Sequence, residues 1–181
     1  RPGDRLQATG FQPHKFYRGT NILLAPPSQK LLNLYDINLE EWLQQTQDEI
    51  KKHTDRPILI RPHPRCKIRH INQNYSNVHI QEPKQIKGTY DDFDMGFNNV
   101  HCTISYSSNP GIHSIIAGVP SFVSTHSLAY PVANDIDFLH DIEQPMMPDR
   151  QQWLNDYAHT EYTIEEISQG LPLKNLTNKL I

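Results

Sequence analysis

The stretch Asn99–Val123, NVHCTISYSSNPGIHSIIAGVPSFV, reads as strand, polar turn, short helix and second strand. Val100 to Ile104 is an apolar, β-branched run, and Pro120 to Val123 is another. Between them Asn109 followed by Pro110 marks a helix start, because Asn caps free backbone N–H groups and Pro fits the first helical position. Ile112, Ile115 and Ile116 fall at i, i+3 and i+4 and make one apolar face, and Gly118 closes the helix. The Ser107 and Ser108 hydroxyls stand beside the N–H groups that such a helix leaves unpaired. A helix start of this kind favours an anion, and the expected occupant is a nucleotide phosphate.

Working outward, the same alternation repeats. Asn21 to Ala25 (NILLA) reads as a buried strand ended by Pro26-Pro27-Ser28. Asn38 with Glu41 three residues on is a capping-box pattern, and Leu39, Trp42, Leu43 and Ile50 hold one helix face to about His53. Pro57 to Arg61 (PILIR) is the next strand and runs into Pro62-His63-Pro64-Arg65; Val78 to Ile80 is a candidate third. Asp91 to Met95 reads as either a turn of helix or an acidic loop. In the tail, Asp149 with Gln152 caps a helix holding Trp153, Leu154 and Tyr157, and Thr163 with Glu166 caps another that ends at Gly170. Residues 1–20 show no period and read as an arm or linker. Residues 21–181 then form the domain, with the 149–170 helices included in it.

Strands alternating with helices at this spacing imply an α/β, Rossmann-like three-layer domain with a mostly parallel sheet. Ligands of such sheets bind beyond the carboxyl ends of the strands, where right-handed crossovers gather the polar turns. Composition fits one domain of 181 residues, with 36% hydrophobic residues and a net charge of -3. That charge argues against a general nucleic-acid binder. No apolar run approaches the roughly 20 residues of a membrane span, and no signal-peptide pattern opens the chain, so a cytoplasmic location is expected. Cys66 and Cys102 then read as reduced thiols. Because the chain opens on Arg1, part of the natural protein is expected to be missing.

Three turns carry the candidate phosphate ligands. His63 sits between two prolines, which stiffen the turn and present the imidazole together with Arg61 and Arg65. Ser107, Ser108 and Asn109 form the second turn. Ser28 and Gln29, with Lys30, form the third, although an ordinary solvated turn explains these equally well. His113, on the flank of the short helix, either packs at the core edge or faces a ribose. Arg61, Arg65, Lys67 and Arg69 could meet a polyanion, but no aromatic residues interleave them as base-stacking surfaces require. Asp91, Asp92 and Asp94 resemble a cation site without completing a shell. The histidines lack zinc-site spacings, and no metal is expected.

His63-Pro64 and Ser107-Ser108, in this order on strand-end turns, resemble the HP and SS motifs of bacterial GT-B-fold glycosyltransferases. That group includes sialyltransferases, capsule Kdo transferases and, more distantly, CDP-glycerol glycerophosphotransferases. The resemblance covers about residues 21 to 125. It includes the serine, helix, Gly-x-Pro element of Ser107 to Phe122, where His113 falls at a position often held by a ribose-binding Glu. The tail looks like that of small phage and bacterial proteins grouped with these transferases. The resemblance implies a donor-binding half that takes a nucleotide sugar, with His63 catalytic and no cofactor or metal. Ser28, Gln29, Arg61, His63, Arg65, Ser107, Ser108, Asn109 and His113 would hold the nucleotide. The acceptor would be a glycan or, for a phage protein, modified DNA. A GT-B enzyme has a second domain carrying the acceptor side and the catalytic base. Its partner here would be a missing N-terminal domain or a second copy, and the acidic motif of sialyltransferases is not found. A non-catalytic Rossmann-like interaction module and a sugar-nucleotide epimerase are the alternatives.

Overall fold

The computed structural model describes residues 4–64, 66, 68, 75–86, 88 and 93–177. The chain divides into two compact units, Pro13–Pro148 and the combination of Arg1–Gln12 with Asp149–Ile181. Helix α1 (Asp4–Thr9) belongs to the smaller unit. In the larger, the elements run β1 (Asn21–Ala25), α2 (Gln29–Leu34), α3 (Leu39–His53), β2 (Ile58–Ile60) and β3 (Val78–Ile80). There follow β4 (Val100–Ser105), α4 (Asn109–Ile116), β5 (Ser121–Val123) and β6 (Asn134–Asp135). The strands make one sheet in the order β3-β2-β1-β4-β5-β6, and every pairing is parallel. With helices packed around it, this is a three-layer α/β, Rossmann-like domain.

The order reverses between β1 and β4. From β1 the chain steps outward through β2 to β3, then returns to the far side of β1 and steps outward again. Right-handed crossovers therefore put the helices of the two halves on opposite faces. The side chains agree. Ile22 and Leu24 of β1 pack with Leu43 and Ile50 of α3, whereas Leu23 packs with Val119 and Ala117 beyond α4. Between β1 and β4 the register slips, since Asn21 pairs with Val100 but Ile22 pairs with Cys102. The extra residue is His101, a bulge in an otherwise regular pair.

His101 is fully buried, and its Nε2–H donates to Ile142 O at 2.7 Å, while Nδ1 has no partner. Burial pushes the imidazole pKa below its ordinary value. A neutral native histidine contributes stability above the unfolded-state pKa of about 6.5. That stability is lost as pH falls from there toward the lower folded value, because the unfolded chain binds the proton first. The urea midpoint should fall between pH 7.5 and 5.5, and less so in His101→Gln. Equal slopes in both proteins would show that His101 is not the sensor.

Local signals account for the larger helices. Asn38 caps α3 by accepting from the N–H groups of Glu40 and Glu41 at 3.0 and 3.1 Å. At the end of α4, Gly118 takes φ 80, with Val119 N–H on Ser114 O and Gly118 N–H on Ile115 O, a Schellman closure. One expectation shifts by a residue. Ser108 is the cap residue of α4, and Asn109 is its first helical residue. Within residues 1–20 lies α1, and His14 and Tyr17 donate backbone N–H groups to Ile116 O and Gly118 O. Asp91 and Asp92 lie outside the described residues; Phe93 forms an antiparallel bridge with Gln85 instead of a helical turn.

The smaller unit contains α1, α5 (Gln151–Ala158), α6 (Ile164–Ser168) and α7 (Leu171–Thr177). Asp149 accepts from Gln151 N–H before α5, and Thr163 and Glu166 complete the expected capping box of α6. Arg5 of α1 clamps Glu166 at 2.5 and 2.8 Å and lies 4.6 Å from the Tyr162 ring centroid. Among the described residues, no helix is long and apolar enough to cross a membrane.

Candidate functional site

Because the sheet is parallel, the ends of β1, β2 and β4 lie on one edge, with β1 and β4 adjacent. Loops separate there as the chain leaves for opposite faces, which opens a crevice. A cleft of about 330 Å³ occupies this position. Ala25 and Pro26 reach it from β1, Pro62, His63 and Pro64 from β2, and Pro83 from beyond β3. Ser108, Asn109, Pro110 and His113 bring the first turns of α4 to it, and Phe93, Asp94 and Met95 close another side. His63 and the start of α4, 44 or more residues apart in sequence, thus face one space.

The position of α4 is set by small and polar packing groups. A Cβ on Gly111 would stand 2.8 Å from Val123 Cγ1, so glycine lets the first turn sit directly on β5. Below it, the buried Ser114 hydroxyl lies 2.8 Å from Thr103 Oγ1 and 3.0 Å from Val119 O. These contacts fix where the helix begins. Ser108 makes no side-chain cap bond to the helix; its hydroxyl pairs with Ser105 Oγ at 2.9 Å. The partial positive charge of the first turn is accordingly not offset by a cap oxygen. The Ser107 Oγ is buried without a hydrogen-bond partner.

Arg61 also has a structural part. Its guanidinium bonds Gln81 Oε1 at 2.9 and 2.8 Å and Gly96 O at 2.6 Å, and it lies 5.7 Å from the Phe97 ring centroid. This ties the ends of β2 and β3 to the loop before β4. Burial lowers its pKa, and Nη1 has no hydrogen-bond partner. Arg61 still borders the cleft, together with a smaller cavity of about 110 Å³ beside it that also borders Pro83 and Asp94.

The other candidates divide. His113, Ser108 and Asn109 border the cleft with His63, whereas Ser28, Gln29 and Ser107 are not among its lining residues. Ser28 begins α2, and Gln29 bonds Asn33 one turn along it. Arg65, Lys67 and Arg69 lie outside the described residues. Among those described, no group of three or more His, Cys, Asp or Glu side chains is placed to hold a metal ion. Sequence reasoning missed Pro83, Phe93 and Met95, which enter from the segment with no legible period. Comparison with protein-family models, curated proteins and solved structures gives no match.

The chemistry available is therefore that of the site itself. An imidazole on a proline-stiffened turn borders the same cleft as a helix start that lacks a side-chain cap bond, and prolines, Phe93 and Met95 add apolar lining. A molecule with an anionic group and a flat, weakly polar part complements that arrangement.

Proposed function

We propose that the chain is the nucleotide-sugar-binding half of a GT-B-type glycosyltransferase. The observation that supports this reading best is the shared cleft at the sheet's reversal point, where His63 and the first turn of α4 meet. In glycosyl transfer the bond from the sugar's anomeric carbon to a phosphate oxygen breaks, and negative charge grows on the departing phosphate. Fixed donors and a helix dipole stabilise that charge without reorganising, which is a large catalytic contribution. His63 and the positive end of α4, with the Asn109 N–H, take this role, since Pro110 has no N–H and Gly111 N–H bonds Ser108 O. The Ser108 hydroxyl positions the phosphate. The proline-rich wall receives the nucleoside, and His113 faces its ribose. The acceptor, with the base that activates it, would come from a second domain or another copy.

Titration calorimetry with CMP, CDP, UDP and GDP tests the reading. At least one should bind saturably to the folded chain. Absence of binding for all four, with native circular dichroism retained, would overturn it.

A further inference from the structure

The cleft lies over β1, β2 and β3, with the start of α4 at its β4 end. A group of rings that does not line the cleft comes from the end of α2 and from the ends of β4 and β5. Tyr35 ends α2, Tyr106 follows β4 directly, and His126 lies in the turn after β5. The Tyr35 ring stacks on His126 at 4.8 Å and 28°, and meets Tyr106 edge-on at 5.3 Å. His126 is exposed and both tyrosines are half-buried, so the cluster keeps surface open to solvent.

Burial, Tyr35 and the charge of Asp137 together raise the Tyr106 hydroxyl pKa. Asp36, next to Tyr35, occupies the left-handed position (φ 51) of a Schellman closure in which Ile37 N–H bonds Leu32 O. Both aspartates are exposed.

We propose that Tyr35, Tyr106 and His126 form a stacking platform for a neutral sugar ring beside the phosphate site. A pyranose offers an apolar C–H face that lies against aromatic rings, and hydroxyls that donate to carboxylates. The exposed His126 and half-buried tyrosines offer such a face, and the tyrosine hydroxyls can exchange hydrogen bonds with the sugar's. Asp36, exposed and next to Tyr35 in the chain, favours a neutral sugar over an anionic one. The placement rests on the nucleotide reading: with phosphate at the start of α4, Tyr106 is only two residues from Ser108 and so beside the phosphate. The same ring chemistry comes from a nucleotide sugar or from a free glycan.

Calorimetry on the full chain separates the sources. The probes are UDP-glucose, UDP-galactose, UDP-N-acetylglucosamine and GDP-mannose, with UDP, GDP and neutral oligosaccharides of the same sugars. His126→Ala and Tyr35→Ala should weaken binding of the preferred sugar-bearing probe about tenfold, as loss of one ring contact implies. Tyr35→Phe should restore it, and UDP or GDP should be unaffected. A loss confined to nucleotide sugars assigns the donor's sugar, whereas a loss confined to oligosaccharides assigns the acceptor. Equal weakening of free nucleotide would mean that the rings hold the base, which overturns the proposal. So would unchanged binding of every probe, or no sugar binding by the folded wild-type chain. Oligosaccharide binding without nucleotide binding would retain the platform and remove the nucleotide reading.

Discussion

Replacing Gly118 with alanine is expected to destabilise the larger unit by about 2–6 kcal/mol, combining left-handed backbone strain with overpacking. Gly118 holds φ 80, and a Cβ there would stand 2.2 Å from Lys15 O and 3.0 Å from His14 O. Both obstacles are backbone atoms, which no rotamer change removes. They belong to the segment whose His14 and Tyr17 N–H groups bond Ile116 O and Gly118 O. Relief therefore requires breaking those bonds or moving the turn between α4 and β5. A loss of this size is a large fraction of the roughly 5–15 kcal/mol that a domain has. Gly88→Ala is the control: it shares a positive φ of 74, yet its added Cβ would meet nothing within 4 Å. Urea denaturation should rank the two variants far apart. Equal midpoints would mean that the segment before β1 yields freely, and that the contact does not constrain α4.

The same turn shows what a sequence makes legible. Gly118 closing α4, Asn38 starting α3 and the Thr163–Glu166 box are local events, settled within one helical turn, and each stands where its residues point. The strands at Asn21–Ala25 and Val78–Ile80 coincide with their apolar runs. Short elements escape such reasoning. Helix α2 has six residues, one of them buried, and β6 has two, so neither repeats its period often enough to show a pattern. The sheet order is also silent in the sequence, because β1 must choose β4 across more than 70 residues and the apolar runs are interchangeable. Arg61 illustrates the limit for the site. Its position after a strand is legible, but its bonds to Gln81 and Gly96, from distant loops, are not. The Tyr35–Tyr106–His126 cluster is invisible for a related reason, as its rings come from a helix end and two separate strand ends.

On the proposed function, His63→Ala is expected to weaken nucleotide binding by about 1.5–3 kcal/mol, the range for a hydrogen bond to a charged group. In affinity this is about 10–150-fold. The loss should be the same for CMP, CDP, UDP or GDP, whichever bind, because a group that grips phosphate does not sense the base. Ser108→Ala should cost less, since the Asn109 N–H and the dipole of α4 remain. The decisive quantity is the coupling between the two. His63 and Ser108 border one cleft from different strand ends, so if both hold the same phosphate their effects should depart from additivity by at least about 0.5 kcal/mol. Additive losses would mean that they touch separate parts of the ligand. A His63 effect that varies with the base would be more damaging, because it would move the phosphate away from α4. The helix start would then lose its anion, and the cleft would have to be read as a site for the nucleoside alone.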